Sequence, residues 1–293
     1  MSGHLAIIGA GDLGTTIGKL LAQNHEVKYW DVSPRQGVAS EVNIKTALEG
    51  ASVAFLCVPT LANQKLIKEY KKYLNKKTII VTFSKGLNSV GLTVPEILQK
   101  NLKSANQIVH VGGPMLFAEI GEGKMWWPIV CSKDKKAREK IIKMFSDTTF
   151  KQSNMAVAGA IAGVSKNCYA LAAGIATAAG WGSNTMGKLF SQSIIEIEYI
   201  IGLFSKNKDK QALVDLALAD LMATSLSPWS KNRTAGQAIF NGQTNVSSEG
   251  IVSIKPFVKR LGAGKMKKLP LLDAVNKIVN QKAEVDIIID AIK

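Results

Sequence analysis

An apolar run, Leu5–Gly9, passes directly through Gly9-Ala10-Gly11-Asp12-Leu13-Gly14 into a stretch of helical spacing, Leu13–Asn24. Few local patterns restrict a fold as strongly, because each glycine in a strand–turn–helix of this kind has a physical job. Gly9 permits the tight turn, Gly11 lets the backbone approach a ligand, and Gly14 lets the helix pack closely on the strand. The free N–H groups and positive dipole end of the helix then favour an anion, and a diphosphate suits both. Asp31 follows Gly11 by about twenty residues, at the end of the second strand, where a carboxylate accepts from both ribose hydroxyls of a dinucleotide. Gly9, Gly11, Asp12, Leu13, Gly14 and Asp31 are therefore the expected cofactor-binding residues. A carboxylate at position 31 repels a 2′-phosphate, which favours NAD(H) over NADP(H), with Arg35 as the opposing signal.

The apolar pattern continues as an alternation. Strands are expected at Val27–Trp30, Val53–Cys57, Thr78–Phe83, Gln107–Val111 and Pro128–Ser132, with helices at Leu61–Leu74 and Lys135–Phe145. Such alternation predicts a Rossmann-like α/β domain, a parallel sheet with helices on both faces. Beyond Ser153 the texture changes to helical spacing alone, through Met155–Trp181, Leu189–Phe204, Lys210–Thr224 and Leu269–Val279. The expected organisation is thus a dinucleotide-binding domain over 1–153 and an all-helical, substrate-binding domain over 154–293.

Charge narrows the partners. The 293 residues carry 37 Lys+Arg against 22 Asp+Glu, a net +15. That excess invites a nucleic-acid reading, but only Arg35, Arg138, Arg233 and Arg260 are arginines, a poor supply of the residue that forks onto phosphates and guanines. The lysines are spread along the chain, as on a solvated surface. Cys57, Cys131 and Cys168 show no CxxC spacing, so neither a disulfide framework nor a zinc site is expected, and a reducing, cytoplasmic setting suits them. Three histidines leave little for metal chemistry, and no metal is expected. No basic segment followed by a secretory apolar stretch is visible near the start. Met155–Trp181 approaches spanning length, yet Lys166 and Asn167 stand at its centre, which favours a buried helix over a transmembrane segment.

Lys166 is the sole charge in that run. Among small and apolar neighbours an ammonium must find a carboxylate or amide partner, or lose its proton through a lowered pKa. Either outcome suits a lysine that transfers protons near neutral pH. Asp220 or Asp215, on the stretch Leu213–Thr224, can partner it, and periodicity alone does not choose between them.

Together these residues resemble the NAD(P)-dependent glycerol-3-phosphate dehydrogenases over most of the chain. Carrying the resemblance are Gly9–Gly14, Ser84-Lys85-Gly86-Leu87, Gly112-Gly113-Pro114 with Glu119, Lys166-Asn167 followed by Gly174, Gly180 and Asn184, Ala219-Asp220-Leu221 with Thr224, Ser230-Lys231-Asn232-Arg233, and Glu249-Gly250. The resemblance implies interconversion of dihydroxyacetone phosphate and sn-glycerol 3-phosphate, a step feeding phospholipid synthesis. It implies Lys166, Lys85 and Asp220 as catalytic residues, with Asp220 orienting Lys166. Lys85, Gly113, Asn167, Asp220, Thr224, Ser230, Lys231, Asn232 and Arg233 would meet the substrate. Lys85, Lys231 and Glu249 would also border the cofactor, Glu249 on a late, mobile loop.

Departures from the family pattern are specific. Lys231 stands where the family usually has arginine, so the charge remains but the bidentate fork is lost. Met115 replaces a small or hydroxylated residue, Phe117-Ala118 falls one place late, and the segment after Asp31 is abbreviated. A ketopantoate reductase or β-hydroxyacid dehydrogenase is the alternative reading, since those also use a helix-borne lysine and an asparagine. A non-catalytic nucleotide or nucleic-acid binder is the second. The expected partner is a small phosphorylated molecule rather than nucleic acid, and a homodimer is compatible with the apolar second half.

Overall fold

The computed structural model describes residues 3–33, 36–41, 43–102, 107–145, 150–205 and 210–293. Arg35, the countersignal on cofactor choice, lies outside the described residues. The chain forms two compact units, residues 1–84 with 93–160 and residues 85–92 with 161–293.

In the first unit the elements are β1 (Leu5–Ile8), α1 (Asp12–Ala22), β2 (Val27–Trp30), α2 (Ile44–Leu48), β3 (Val53–Leu56), α3 (Thr60–Tyr70), β4 (Ile79–Thr82), α4 (Val94–Asn101), β5 (Gln107–Gly112), α5 (Phe117–Gly121), β6 (Ile129–Cys131), α6 (Lys135–Met144) and β7 (Lys151–Ser153). Every residue of β1, β3 and β4 is buried, as strands of a sheet covered on both faces must be. The strand order is β2-β1-β3-β4-β5-β6-β7. Pairing is parallel from β2 through β5, whereas β6 runs antiparallel to β5 and β7 follows β6 in parallel. The expected parallel sheet therefore carries a reversed pair at one edge. Its last strand, Lys-Gln-Ser, is polar and mostly exposed, so no apolar pattern announces it.

Strand order reverses at β1, with β2 on one side and β3 on the other. Ligands of open α/β sheets bind outside the carboxyl ends of strands at such a reversal. The glycine turn leaves β1 there. Beneath it, Leu5, Ile7, Ile17, Leu21, Phe55, Val81 and Val109 belong to one apolar core, which Phe83, Trp126 and Phe145 extend.

The second unit takes α7 (Ala156–Ala178) from Ile161 onward, then α8 (Ser183–Phe204), α9 (Lys210–Leu226), α10 (Lys231–Phe240), α11 (Glu249–Leu261), α12 (Ala263–Met266), α13 (Pro270–Gln281) and α14 (Ile287–Ile292). α7 is buried on all sides from Ile161 to Ala176, the signature of a helix surrounded by protein. No helix among the described residues is long and apolar enough to cross a membrane. α10, α11, α12 and α14 lie outside the stretches expected to be helical, and α8 starts at Ser183 rather than Leu189.

Two features fix the packing of these helices. A Cβ on Gly174 would strike the Arg233 carbonyl, and one on Gly236 the Leu171 carbonyl, so α7 and α10 cross backbone to backbone. Glu196, fully buried on α8, accepts from the Leu271 and Leu272 N–H groups at 2.7 and 3.0 Å. It thereby caps α13, whose own N-cap, Leu269, offers no side-chain oxygen. Tyr169 and Gln192 complete the carboxylate at 2.8 and 3.0 Å.

Candidate active site

The glycine turn has the geometry that its residue types require. Gly9 holds φ +100°, and a Cβ on Gly14 would run into the Gly9 carbonyl oxygen. Both positions exclude any larger residue. Gly11 is the N-cap of α1, in extended backbone, with no side chain to cap the first-turn N–H groups. A Cβ there would meet nothing within 4 Å, so the helix end is open on that side. A diphosphate fits this arrangement, because uncapped N–H groups converge where no side chain intervenes. Asp12 is the first residue of α1, where a negative charge is favoured by the dipole, and Leu13 packs against the sheet core.

Asp31 is tied to the backbone on either side of β2. Its Oδ2 accepts from the Ala10 N–H at 2.7 Å, and its Oδ1 accepts from the Ser33 N–H at 2.9 Å. The carboxylate thus braces the turn, while each oxygen keeps acceptor capacity for a hydroxyl. Gly113, also in the first unit, holds φ +104° just after β5. Met115 packs against the apolar core, so its side chain is spent on packing.

The second unit assembles a polar centre from distant parts of the sequence. Asp220 on α9 is 3% exposed and binds two ammonium groups. Lys85 Nζ lies 2.6 Å from its Oδ2, and Lys166 Nζ lies 3.0 Å from its Oδ1. Lys166 also donates to Thr224 Oγ1 at 2.6 Å. Asp215, the rival on the same helix, is exposed and accepts from Gln211 instead. Burial lowers the Lys166 pKa to about 8, with Lys85 pushing the same way and Asp220 opposing. For Asp220 burial favours the acid form, but the two ammonium groups overcome it and hold its pKa below the usual carboxylate range.

A relay of side-chain amides surrounds this centre. Asn167 donates through Nδ2 to the Lys85 carbonyl at 2.9 Å, and Asn232 Nδ2 donates to Asn167 Oδ1 at 2.9 Å. The Gly250 N–H closes the chain on Asn232 Oδ1 at 2.9 Å. Ser230 caps α10, accepting from the Arg233 N–H at 3.2 Å, and Lys231 opens the same helix in an exposed position. Arg233 keeps its Nε buried without a hydrogen-bond partner, a cation still able to bind an anion. Glu249, expected on a mobile loop, is instead the first residue of α11, behind the N-cap Ser248. Gly163 was not singled out as a site residue: a Cβ there would meet Lys85 Cγ at 2.8 Å, so its absence makes room for the lysine stem.

Comparison with known proteins matches both parts of the chain to one family. Residues 31–138 match the N-terminal model of NAD-dependent glycerol-3-phosphate dehydrogenase, and residues 156–290 match its C-terminal model. The chain belongs to this glycerol-3-phosphate dehydrogenase family. A glycerol-3-phosphate dehydrogenase [NAD(P)+] of Halothermothrix orenii is 29% identical over 284 residues, covering 88% of this chain and 82% of the relative. The crystal structure of glycerol-3-phosphate dehydrogenase from Coxiella burnetii shares the fold, with TM-score 0.86 and 22% identity over 99% of this chain and 98% of that one. A ketopantoate reductase from Ralstonia eutropha shares less of it, with TM-score 0.59 and 15% identity over 95% and 98%. Membership makes the chain an NAD(P)-linked oxidoreductase of α/β and helical parts.

Proposed function

We propose that this family member interconverts dihydroxyacetone phosphate and sn-glycerol 3-phosphate, and that in the cell it runs toward glycerol 3-phosphate for glycerophospholipid synthesis. The observation that carries the reading is one buried carboxylate shared by two lysines, with Lys166 poised near pH 8. Such a lysine gives up a proton in one direction and takes it back in the other at physiological pH. Residues 1–153 are read as the dinucleotide-binding part and 154–293 as the substrate-binding part.

Gly9, Gly11, Gly14 and the N-terminus of α1 would hold the diphosphate, with Asp31 on the adenosine ribose, which favours NAD(H). When bound, a nicotinamide dinucleotide supplies or accepts the hydride. Lys166 directs two donors to Asp220 and Thr224 and offers its third to the substrate oxygen. In reduction that oxygen gains negative charge as the carbonyl carbon receives hydride, and Lys166 transfers the proton that neutralises it. Lys85 supplies a second positive charge to the same oxygen. Arg233 and Lys231 take the phosphate, which a plain 2-oxo acid lacks. Nucleic acid has no part in this reading, and a reducing compartment suits it.

The test is direct. Oxidation of NADH and NADPH is followed with dihydroxyacetone phosphate and, in parallel, with ketopantoate. Turnover of the first alone supports the proposal, whereas turnover of ketopantoate alone overturns it. Lys166→Ala should abolish turnover while NADH still binds.

A further inference from the structure

The chain leaves β4 and enters an eight-residue segment, Lys85–Leu92, that belongs to the helical unit. Lys85 stands at its start. A lysine ammonium rides on a flexible four-carbon stem, so its place at Asp220 depends on how firmly the backbone behind it is held. The segment braces itself first: Asn88 Oδ1 accepts from the Val90 and Leu92 N–H groups at 3.2 and 2.7 Å, and the Asn88 N–H donates to the Leu92 carbonyl at 3.0 Å. It therefore shifts as one piece.

One face of α11 ties that piece down. The Leu87 N–H donates to Ser253 Oγ at 3.0 Å, with Leu87 and Ser253 both fully buried. Arg260 Nη1 donates to the Gly91 carbonyl at 2.7 Å. The Arg260 guanidinium lies 4.7 Å from the Phe204 ring centroid, which restricts its reach. Gly91 holds φ +80°, and a Cβ on it would meet the Pro256 carbonyl oxygen at 3.2 Å, so the segment lies against the helix itself. Gly250, at the start of the same helix, reaches the Lys85 carbonyl through Asn232 and Asn167. Positions 250, 253, 257 and 260 recur at the three-to-four-residue spacing of a single helix face.

We propose that Ser253 and Arg260 are positioning residues for Lys85, and that with the Asn232–Asn167 relay they make α11 the mount that sets the Lys85 ammonium at Asp220. The functional part rests on Lys85 taking part in the reaction proposed above; the positional part does not.

The experiment uses the full chain and its Ser253→Ala, Arg260→Ala and Arg260→Lys variants, with Val252→Ala as a control away from the tying positions. Two measurements are made on each. The rate of Lys85 acetylation by acetic anhydride is read by peptide mass spectrometry, and kcat and KM are read for dihydroxyacetone phosphate reduction. A lysine released from Asp220 reacts faster, so Ser253→Ala and Arg260→Ala should raise Lys85 labelling and lower kcat, each about tenfold, as expected for displacement of an active-site group. KM for NADH should stay near that of the wild type, Arg260→Lys should reverse part of both changes, and Val252→Ala should alter neither labelling nor kcat. Labelling and kcat within about twofold of wild type in both alanine variants, with only the melting temperature lowered, would mean a merely structural tie and overturn the proposal. Labelling needs no turnover. Faster labelling in an enzyme that does not reduce dihydroxyacetone phosphate would sink the functional reading and leave the mount standing.

Discussion

Asp220→Asn removes one negative charge from between two ammonium groups and changes almost no volume. The Lys166–Asp220 contact at 3.0 Å is worth about 5.5 kcal/mol at an effective dielectric near 20. At about 1.4 kcal/mol per pH unit, losing that attraction outright would lower the Lys166 pKa by about four units. The amide oxygen retains part of the attraction, so about two is expected. Burial and Lys85 already hold Lys166 at about 8 against the opposing pull of Asp220, so weakening that pull lets the value fall further. Reduction needs Lys166 protonated, so wild-type kcat/KM should fall above about pH 8, and that of the variant above about pH 6. Oxidation of glycerol 3-phosphate needs the neutral amine, so its acidic limb should move down by the same amount. The assay is initial-rate NADH oxidation and NAD+ reduction across about pH 5.5 to 9.5 with substrate well below KM, so that kcat/KM is read. A reductive limb that stays near 8 in the variant, or moves alkaline, would falsify the assignment of Lys166 as the proton donor held by Asp220.

Other expectations follow from the same geometry. Because the folded-state pKa of Lys166 is lowered, the unfolded chain binds more protons between about pH 8 and 10.5, and stability rises with pH through that window. Lys166→Met should remove that slope in urea titrations. Asp31→Ser frees the Ala10 N–H and removes the 2′-phosphate repulsion, so KM for NADH should rise about tenfold while that for NADPH rises less. An unchanged ratio would count against Asp31 as the discriminating residue. Glu196→Gln leaves one acceptor oxygen for four donors, and at about 1–3 kcal/mol per unsatisfied buried group a loss of about 2–4 kcal/mol in unfolding free energy is expected, with kcat little changed. Gly236→Ala should separate α10 from α7 and lower both stability and kcat; equal activity and melting temperature would contradict the close crossing.

The two halves differ in how much they disclose before folding. Strands buried on both faces announce themselves as apolar runs, and the glycine turn carries its own geometry, so strands β1 to β6 and that turn are legible, whereas the reversed edge and polar β7 are not. Helices of the second half are harder. α10 has no broad apolar stripe, because its contact with α7 is made through Gly236 rather than through large side chains. α11 contains Pro256, which reads as a helix breaker although the helix runs through it. α9 is apolar on several sides, so spacing could not separate Asp220 from Asp215, and only packing does. That Lys166 needs a carboxylate is legible from its surroundings. That Lys85 shares it is not, because 135 residues separate Lys85 from Asp220 along the chain. Ser253 and Arg260 carry no local signal at all, since their role exists only where α11 meets the Lys85–Leu92 segment.

That segment also limits how this protein can be recombined. Evolution and engineering exchange parts most readily where one cut separates two self-sufficient pieces. Here a single cut near residue 153 would transfer α7, α9, α10 and α11 with Lys166, Asp220 and Thr224, but it would leave Lys85 behind with the sheet. The received half would hold a buried aspartate with one ammonium where its native packing has two. A chimera therefore inherits a charge imbalance unless its own 85–92 segment comes from the same parent as its helices, so the working unit of exchange is discontinuous in sequence.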